Sequence, residues 1–127
     1  MRVVDSCGWL EHLRGSAHGG LYGPALADPT GLLVPTICIA EVYRVLSRSH
    51  GEADTLETLA SMRRGVVAVL DPLLAVEAGR AGLAHALPLA DSIIYATARR
   101  HAAELWTHDA HFRGLPRVRF VEAPAEA

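Results

Sequence analysis

Short apolar runs and segments of helical periodicity alternate along most of this chain, and this alternation narrows its possible folds more than any other feature. The apolar runs lie at residues 2–5, 32–34, 66–70, 105–107 and 118–121. Between them, apolar residues recur at helical spacing from residue 6, from residue 36, and over 52–64, 71–85 and 91–101, with shorter helices or turns at 21–27 and 109–113. Strands separated by helices form parallel sheets with helices on both faces. Because 127 residues suit one domain, we predict a single α/β domain over residues 1–127, with an acidic, Ala-rich tail from about 122.

Several residues predict where these helices begin and which sides they bury. Ser6 and Thr36 can cap the helices that follow the first two strands. In the segment 52–64, Leu56, Leu59 and Met62 are predicted to face the core. The run at 66–70 is apolar and mostly β-branched, which predicts a buried third strand.

The composition excludes several classes of function. All 12 basic residues are arginine, so mechanisms that need a lysine, such as those of P-loop and phospho-receiver proteins, are excluded. The net charge of −2 argues against a protein that coats nucleic acid through overall charge. Arginine clusters at 63–64, 99–100 and 113–119 can contact nucleic acid locally or lie on solvated faces. Cys7 and Cys38 form no CxxC pair, which argues against a disulfide framework and a thiolate zinc site.

The chain start and the hydropathy bear on localisation. The first residues lack the apolar run of a signal peptide, and the longest stretch without charged side chains is interrupted by a histidine and glycines. We therefore expect a cytoplasmic protein with no membrane partner.

Four carboxylates, here called the acidic quartet, lie where a parallel sheet can bring them together: Asp5, Glu41, Asp91 and Asp109. Sites in open parallel sheets form at the carboxyl ends of the strands, where Asp5 and Asp109 are expected. Clustered carboxylates repel one another unless cations lie between them, and oxygen donors without sulfur suit Mg²⁺ or Mn²⁺. This pattern indicates metal-assisted phosphoryl chemistry. Helix capping by each Asp, and a plain surface position for Glu41, remain alternatives.

Four segments in order resemble the PIN-domain ribonucleases, specifically the VapC-type toxins of prokaryotic toxin-antitoxin pairs. They are VVDS at 3–6, IAEV at 39–42, LADSIIYATA at 89–98 and WTHDAHF at 106–112. The resemblance implies a three-layer α/β/α domain with a central, mostly parallel sheet. It also implies endonucleolytic cleavage of RNA that depends on Mg²⁺ or Mn²⁺.

The resemblance also assigns roles to individual residues. The acidic quartet matches the family's catalytic and metal-binding acids, and Ser6 and Thr107 match hydroxyl positions that orient carboxylates or water. Cys7 stands where many relatives carry a small hydroxyl residue, and His111 where Asp or His is common. The implied reaction is attack of a metal-activated water on the phosphodiester, which leaves a 5′-phosphate and a 3′-hydroxyl.

The partners that the resemblance implies are RNA, an antitoxin and a second copy of the chain. RNA would enter as an exposed loop or unpaired strand. The antitoxin peptide would cross an apolar groove and place an arginine among the acids. Five residues can line that groove or simply pack in the core: Trp9, Leu10, Leu13, Val42 and Leu46.

Three other functions remain open from the sequence. A catalytically silent PIN-like binding or regulatory module would share the fold. His108, Asp109 and His111 could serve a transition-metal phosphohydrolase, although the strand-rich pattern argues against its helical architecture. A haloacid-dehalogenase-like phosphatase would need an Asp at the position of Cys7.

Overall fold

The computed structural model describes residues 1–125, and its centre is a parallel β-sheet. The strands are β1 (Arg2–Val4), β2 (Leu32–Pro35), β3 (Val66–Ala68), β4 (Glu104–Thr107) and β5 (Val118–Phe120). They lie in the order β3-β2-β1-β4-β5, and every pairing is parallel. From the central β1 the chain adds β2 and then β3 on one side of the sheet. It then crosses back and adds β4 and β5 on the other side of β1.

Helices cover this sheet in the predicted three-layer α/β/α arrangement. They are α1 (Ser6–Leu13), α2 (Ala17–Gly20), α3 (Gly23–Leu26), α4 (Thr36–Ser49), α5 (Gly51–Met62), α6 (Pro72–His85) and α7 (Leu89–Arg100). Short 3-10 turns occupy Pro29–Gly31 and Ala110–Phe112. In residues 1–125 no helix is both long and apolar enough to cross a membrane.

The hydrophobic core is centred on the sheet. Val3, Val4 and Leu105 are almost completely buried on the adjacent strands β1 and β4. The buried Ala98 of α7 belongs to the same core. Since β1 and β4 pair in register, Val4 lies opposite Trp106, and the residues that follow, Asp5 just beyond β1 and Thr107 at the end of β4, lie side by side.

The caps predicted at Ser6 and Thr36 lie one residue too late, and the alternative role of Asp5 as a helix cap is confirmed. Asp5 caps α1, because its side chain accepts a hydrogen bond from the Ser6 N–H, and Ser6 is the first helical residue. Pro35 precedes α4 with an extended backbone, and Thr36 is the first residue of that helix. Pro35 is the last residue of β2 and Asp5 directly follows β1, so each strand passes into its helix without an intervening loop.

The prediction for residues 66–70 is only partly correct. The strand ends at Ala68 and lies at the edge of the sheet, and Val69 and Leu70 are 68% and 40% exposed. The prediction of a buried strand was wrong because an edge strand is covered from fewer sides than a central one. The apolar run itself does not distinguish the two positions.

Three helical predictions also need correction. Leu56 is 52% exposed, because Thr55 takes the buried position on the face that continues to Leu59 and Met62. The helix predicted at 91–101 begins at Leu89, so Asp91 lies in its first turn. The segment at 15–30 contains α2, α3 and a 3-10 turn, where one short helix was predicted.

Candidate active site

Asp5 lies at the end of β1 and is 2% exposed. Its Oδ1 accepts a hydrogen bond from the Ser6 N–H at 2.8 Å, and its Oδ2 accepts from Thr107 Oγ1 at 2.8 Å and from Cys7 Sγ at 3.4 Å. Burial raises the pKa of Asp5, and these hydrogen bonds only partly offset that rise. The hydrogen bonds therefore fix the Asp5 carboxylate next to the central strand of the sheet, and its burial costs free energy when it is ionised.

Glu41 reaches the same place from α4. Ser6 Oγ donates a hydrogen bond to Glu41 Oε1 at 3.0 Å and lies 3.4 Å from Asp5 Oδ1. Burial raises the pKa of Glu41, and the nearby charges of Asp5 and Asp109 raise it further. Ser6 thus links the first two acids of the quartet.

Asp91 and Asp109 form the second half of the site. His111 Nδ1 lies 3.2 Å from Asp91 Oδ2 and 2.8 Å from Asp109 Oδ1. Burial raises the pKa of Asp91 to about 7, and repulsion by Asp109 and Asp5 adds to the effect. The Asp109 side chain also accepts the His111 N–H at 2.9 Å, which fixes the short turn after β4.

Thr107 joins the two halves. Its hydroxyl donates to Asp5 and accepts from the Asp109 N–H at 3.0 Å. The structure therefore places the four acids in two adjoining groups, Asp5 with Glu41 and Asp91 with Asp109, and Thr107 links the two groups. They gather between β1 and β4, the point where the strand order reverses and where ligands of open α/β sheets bind.

Two cysteines lie close to these acids. Cys7 Sγ is 3.5 Å from Thr107 Oγ1. Cys38 Sγ lies within 4.8 Å of a carboxylate oxygen of Asp5 and of one of Glu41. Burial raises the pKa of both thiols, so they stay protonated and are poor metal ligands at neutral pH. Cys38 lies three residues before Glu41 on α4, and this spacing is the one signal in the sequence that places it beside that acid.

A contact that the sequence analysis missed holds His108 away from the acids. Its Nδ1 is 2.7 Å from Tyr22 Oη, and its ring lies 4.3 Å from that of His18 between centroids. His18 Nε2 in turn lies 2.8 Å from the Val121 carbonyl oxygen. Within residues 1–125, the group near Asp109 that could hold a metal includes Asp91 and His111 and omits His108. No local pattern could have revealed a contact between residues 22 and 108.

The five residues predicted to line an apolar groove do not all lie at one surface in the structure. A cavity of about 330 Å³ is lined by Trp9 and Leu13, and a second of about 220 Å³ by Leu10, Leu13 and Leu46. Val42 is fully buried in the core and lines neither cavity. Its inclusion in the groove was wrong, because α4 turns that side toward the core.

The donor set of the quartet fits a hard divalent cation. The ion pairs of arginine found within residues 1–125 involve Glu11, Asp71, Glu77 and Glu122 and leave the quartet without an arginine partner. Four carboxylates with only one histidine between two of them carry uncompensated negative charge. All four offer oxygen donors, which Mg²⁺ and Mn²⁺ prefer.

Solved structures share this fold. A chain of a toxin-antitoxin complex from Klebsiella pneumoniae superimposes with a TM-score of 0.82 at 23% identity, over 96% of this chain and 98% of that one. The Sarcin-Ricin loop cleaving toxin VapC20 from Mycobacterium tuberculosis gives 0.73 at 19% identity, over 98% of this chain and 100% of that one. VapBC2 from Rickettsia felis, solved with a promoter DNA fragment, gives 0.73 at 14%, over 95% and 98%.

The sequence comparisons give one family and no individual relative. No curated protein sequence matches at a significant level. A family model described as PIN domain matches residues 2–118, nearly the whole chain. The chain therefore belongs to the PIN domain family.

Proposed function

We propose that this protein is an endoribonuclease dependent on Mg²⁺ or Mn²⁺ and the toxin of a type II toxin-antitoxin module. The observation that carries the proposal is the placement of two linked carboxylate pairs side by side, without an arginine partner among the described residues. Membership of the PIN family supports it, as do similar folds in a toxin-antitoxin complex and in a toxin that cleaves the Sarcin-Ricin loop.

The acidic quartet would hold the cation. A bound Mg²⁺ or Mn²⁺ lowers the pKa of a coordinated water and stabilises the charge that grows on the phosphate. Ser6 and Thr107 keep Glu41 and Asp5 in place through the hydrogen bonds described above. Burial raises the pKa of Asp91 to about 7, so this carboxyl is only partly ionised at neutral pH in the metal-free protein, and a bound cation would favour its ionised form.

The proposed substrate is RNA in which the nucleotides at the cleavage site are unpaired. Asp5 is almost completely buried, so a loop or single strand approaches the acids more easily than a rigid duplex. Attack of water on the phosphorus with cleavage of the P–O3′ bond would leave a 5′-phosphate on one fragment and a 3′-hydroxyl on the other, and no side chain of the protein would act as a nucleophile. An RNA substrate is consistent with a cytoplasmic protein.

The antitoxin is the second proposed partner. The two cavities lined by Trp9, Leu10, Leu13 and Leu46 offer an apolar path beside α1. A peptide arginine placed among the acids would supply the positive charge that they lack and would exclude the cation. A cognate antitoxin should therefore block both cleavage and metal binding.

A homodimer is the third proposed partnership. The outer side of α6 exposes Leu73, Val76 and Leu83 at 65%, 53% and 90%, in a stripe at helical spacing. Exposed apolar stripes of this kind mark protein interfaces. The opposite side of α6 buries Leu74 and Ala78 against α7, so the helix has apolar residues on both sides.

The test is cleavage of RNA by the purified protein, free of antitoxin. Total cellular RNA is incubated with Mg²⁺ or Mn²⁺, and new ends are mapped. Cuts at few sites that disappear with EDTA and in Asp91→Asn support the proposal. Asp54→Asn, an exposed acid on α5, is the matched control and should cleave normally. No cleavage with either metal by a folded protein would favour the silent binding module.

A further inference from the structure

The arginines of this protein divide into partnered and unpartnered groups. Most of the twelve contact a carboxylate, a backbone carbonyl oxygen or an aromatic ring. Within the described residues, five make no such contact: Arg44, Arg48, Arg63, Arg64 and Arg80. Unpartnered arginines on a protein of net charge −2 are available to bind an anion.

Two of these five lie beside the acidic quartet. Arg44 and Arg48 follow Glu41 on α4 by three and seven residues, so all three side chains share one side of the helix. Together with Val45 they line an open cavity of about 190 Å³. Arg44 is close enough to lower the pKa of Glu41, against the larger effect of burial.

A structural role explains only part of this arrangement. Arg48 lies in the last turn of α4, where a cation interacts favourably with the helix dipole. Arg44 lies a full turn earlier, and both side chains are exposed. Neither arginine forms an ion pair with a carboxylate of the described residues.

The proposed RNA substrate explains why two positively charged side chains lie beside the acidic quartet. RNA is a polyanion, and the quartet repels it, so binding needs positive charge near the acids and outside them. The rise of about 1.5 Å per residue places Arg44 and Arg48 at about 4.5 Å and 10.5 Å along the helix from Glu41. A strand that presents one phosphate to the quartet can therefore present flanking phosphates to these guanidinium groups.

We propose that Arg44 and Arg48 bind RNA backbone phosphates that flank the scissile one, and so hold the strand across the acidic quartet. This inference rests on the proposed ribonuclease function. Phosphate contacts position a strand and do not read its sequence, so the two arginines would contribute affinity and register without base preference.

The first experiment measures binding without cleavage. A fluorescein-labelled single-stranded RNA of twelve nucleotides is titrated in EDTA at several NaCl concentrations, with fluorescence anisotropy as the readout. Arg44→Ala/Arg48→Ala should weaken binding on the order of tenfold and reduce the slope of log K against log salt by about 1.4, the value for two phosphate contacts on a single strand. Arg44→Lys/Arg48→Lys should retain most of the affinity.

A matched control separates local contacts from net charge. Arg63→Ala/Arg64→Ala removes the same charge from exposed positions at the end of α5 and should leave affinity and salt slope close to wild type. Thermal unfolding of each variant should match wild type, since all four side chains are exposed. In cleavage assays, the Arg44→Ala/Arg48→Ala variant should raise KM and leave kcat nearly unchanged.

Three results overturn the proposal: no measurable binding by the wild-type protein, an unchanged salt slope in the Arg44→Ala/Arg48→Ala variant, or an equal loss in the Arg63→Ala/Arg64→Ala control. Failure of the proposed function has a different signature. A protein that binds RNA through Arg44 and Arg48 but never cleaves it would contradict the ribonuclease and leave the phosphate contacts standing. A protein that cleaves RNA with the same KM in wild type and in the Arg44→Ala/Arg48→Ala variant would support the ribonuclease and contradict the phosphate contacts.

Discussion

At the scale of single residues, burial and repulsion by neighbouring acids raise the pKa of Asp91 in the metal-free protein. The pKa of Asp91 rises from 3.8 to about 7 on folding. The stability associated with this protonation is complete below pH 3.8 and is lost as the pH rises through about 7. Metal-free protein at pH 8 therefore carries the cost of an ionised Asp91 beside Asp109 and Asp5.

Asp91→Asn should remove this pH-dependent cost. In EDTA, we expect the variant to unfold at a higher temperature than wild type, with a difference that grows between pH 5 and pH 8. About 2–8 °C at pH 8 corresponds to about 1 kcal/mol in a domain of this size. Differential scanning calorimetry across this range measures the difference. A variant less stable than wild type at pH 8 would show that Asp91 is a structural carboxylate.

Thr107→Val tests the link between the two halves of the site. The buried hydroxyl would no longer donate to Asp5 or accept from the Asp109 N–H, so both acids lose orientation. We expect cleavage to fall about 10–100-fold, with a higher Mg²⁺ concentration for half-maximal rate, and Thr107→Ser to retain most activity.

Thr97→Val is the matched control for that substitution. Thr97 is equally buried, but its hydroxyl donates to Ile93 within α7, away from the acids. It should keep wild-type kinetics. Equal losses of activity in the two variants would assign the effect to stability and not to the site.

At the scale of helices and strands, the sequence predicted which elements exist better than where they begin. Apolar periodicity located α4, α5, α6 and α7, because a buried side of a helix repeats its spacing over many residues. The caps of α1 and α4 were placed one residue late because a residue at or just after the end of a strand can also cap the next helix, which depends on backbone angles. The short α2 was missed because it contains too few residues to show a period.

Close packing of α2 on α1 leads to a prediction for Gly19. A Cβ at this position would lie 2.1 Å from the Glu11 carbonyl oxygen, a backbone atom that cannot move aside cheaply. We expect Gly19→Ala to destabilise the protein by about 1–3 kcal/mol or more in chemical denaturation.

The neighbouring Gly20 provides the comparison. A Cβ there meets no atom within 4 Å, so Gly20→Ala should be neutral or stabilise the protein by about 0.4–1 kcal/mol. Equal free energies of unfolding for the two variants would mean that α2 does not pack on α1 as described.

At the scale of the whole molecule, strand order decides where the site forms. Alternating strands and helices predicted a parallel sheet, but alternation does not specify which strands are neighbours. The order β3-β2-β1-β4-β5 pairs β1 with β4, whose sequences are about 100 residues apart, and this pairing brings Asp5 beside Thr107. The acids themselves were identifiable from the sequence, whereas their links through Ser6, Thr107 and His111 required the fold.

The exposed stripe on α6 leads to a prediction about assembly. If a second copy covers Leu73, Val76 and Leu83, Leu83→Glu should convert a dimer into a monomer in light scattering after size-exclusion chromatography. Leu56→Glu, at an exposed apolar position on α5, should leave the mass unchanged. A wild-type protein that is monomeric at high concentration would contradict the proposed dimer.

The most direct test of the central claim is the chemistry of the cut as a function of metal concentration. One defined RNA is cleaved in a Mg²⁺ titration, and the termini of the products are identified. The account predicts a rate that saturates with Mg²⁺, stops with EDTA, returns with excess Mg²⁺, and yields 5′-phosphate and 3′-hydroxyl ends. Metal-independent cleavage that leaves a 2′,3′-cyclic phosphate would contradict it, because attack by the RNA's own 2′-hydroxyl needs no cation held by the acidic quartet.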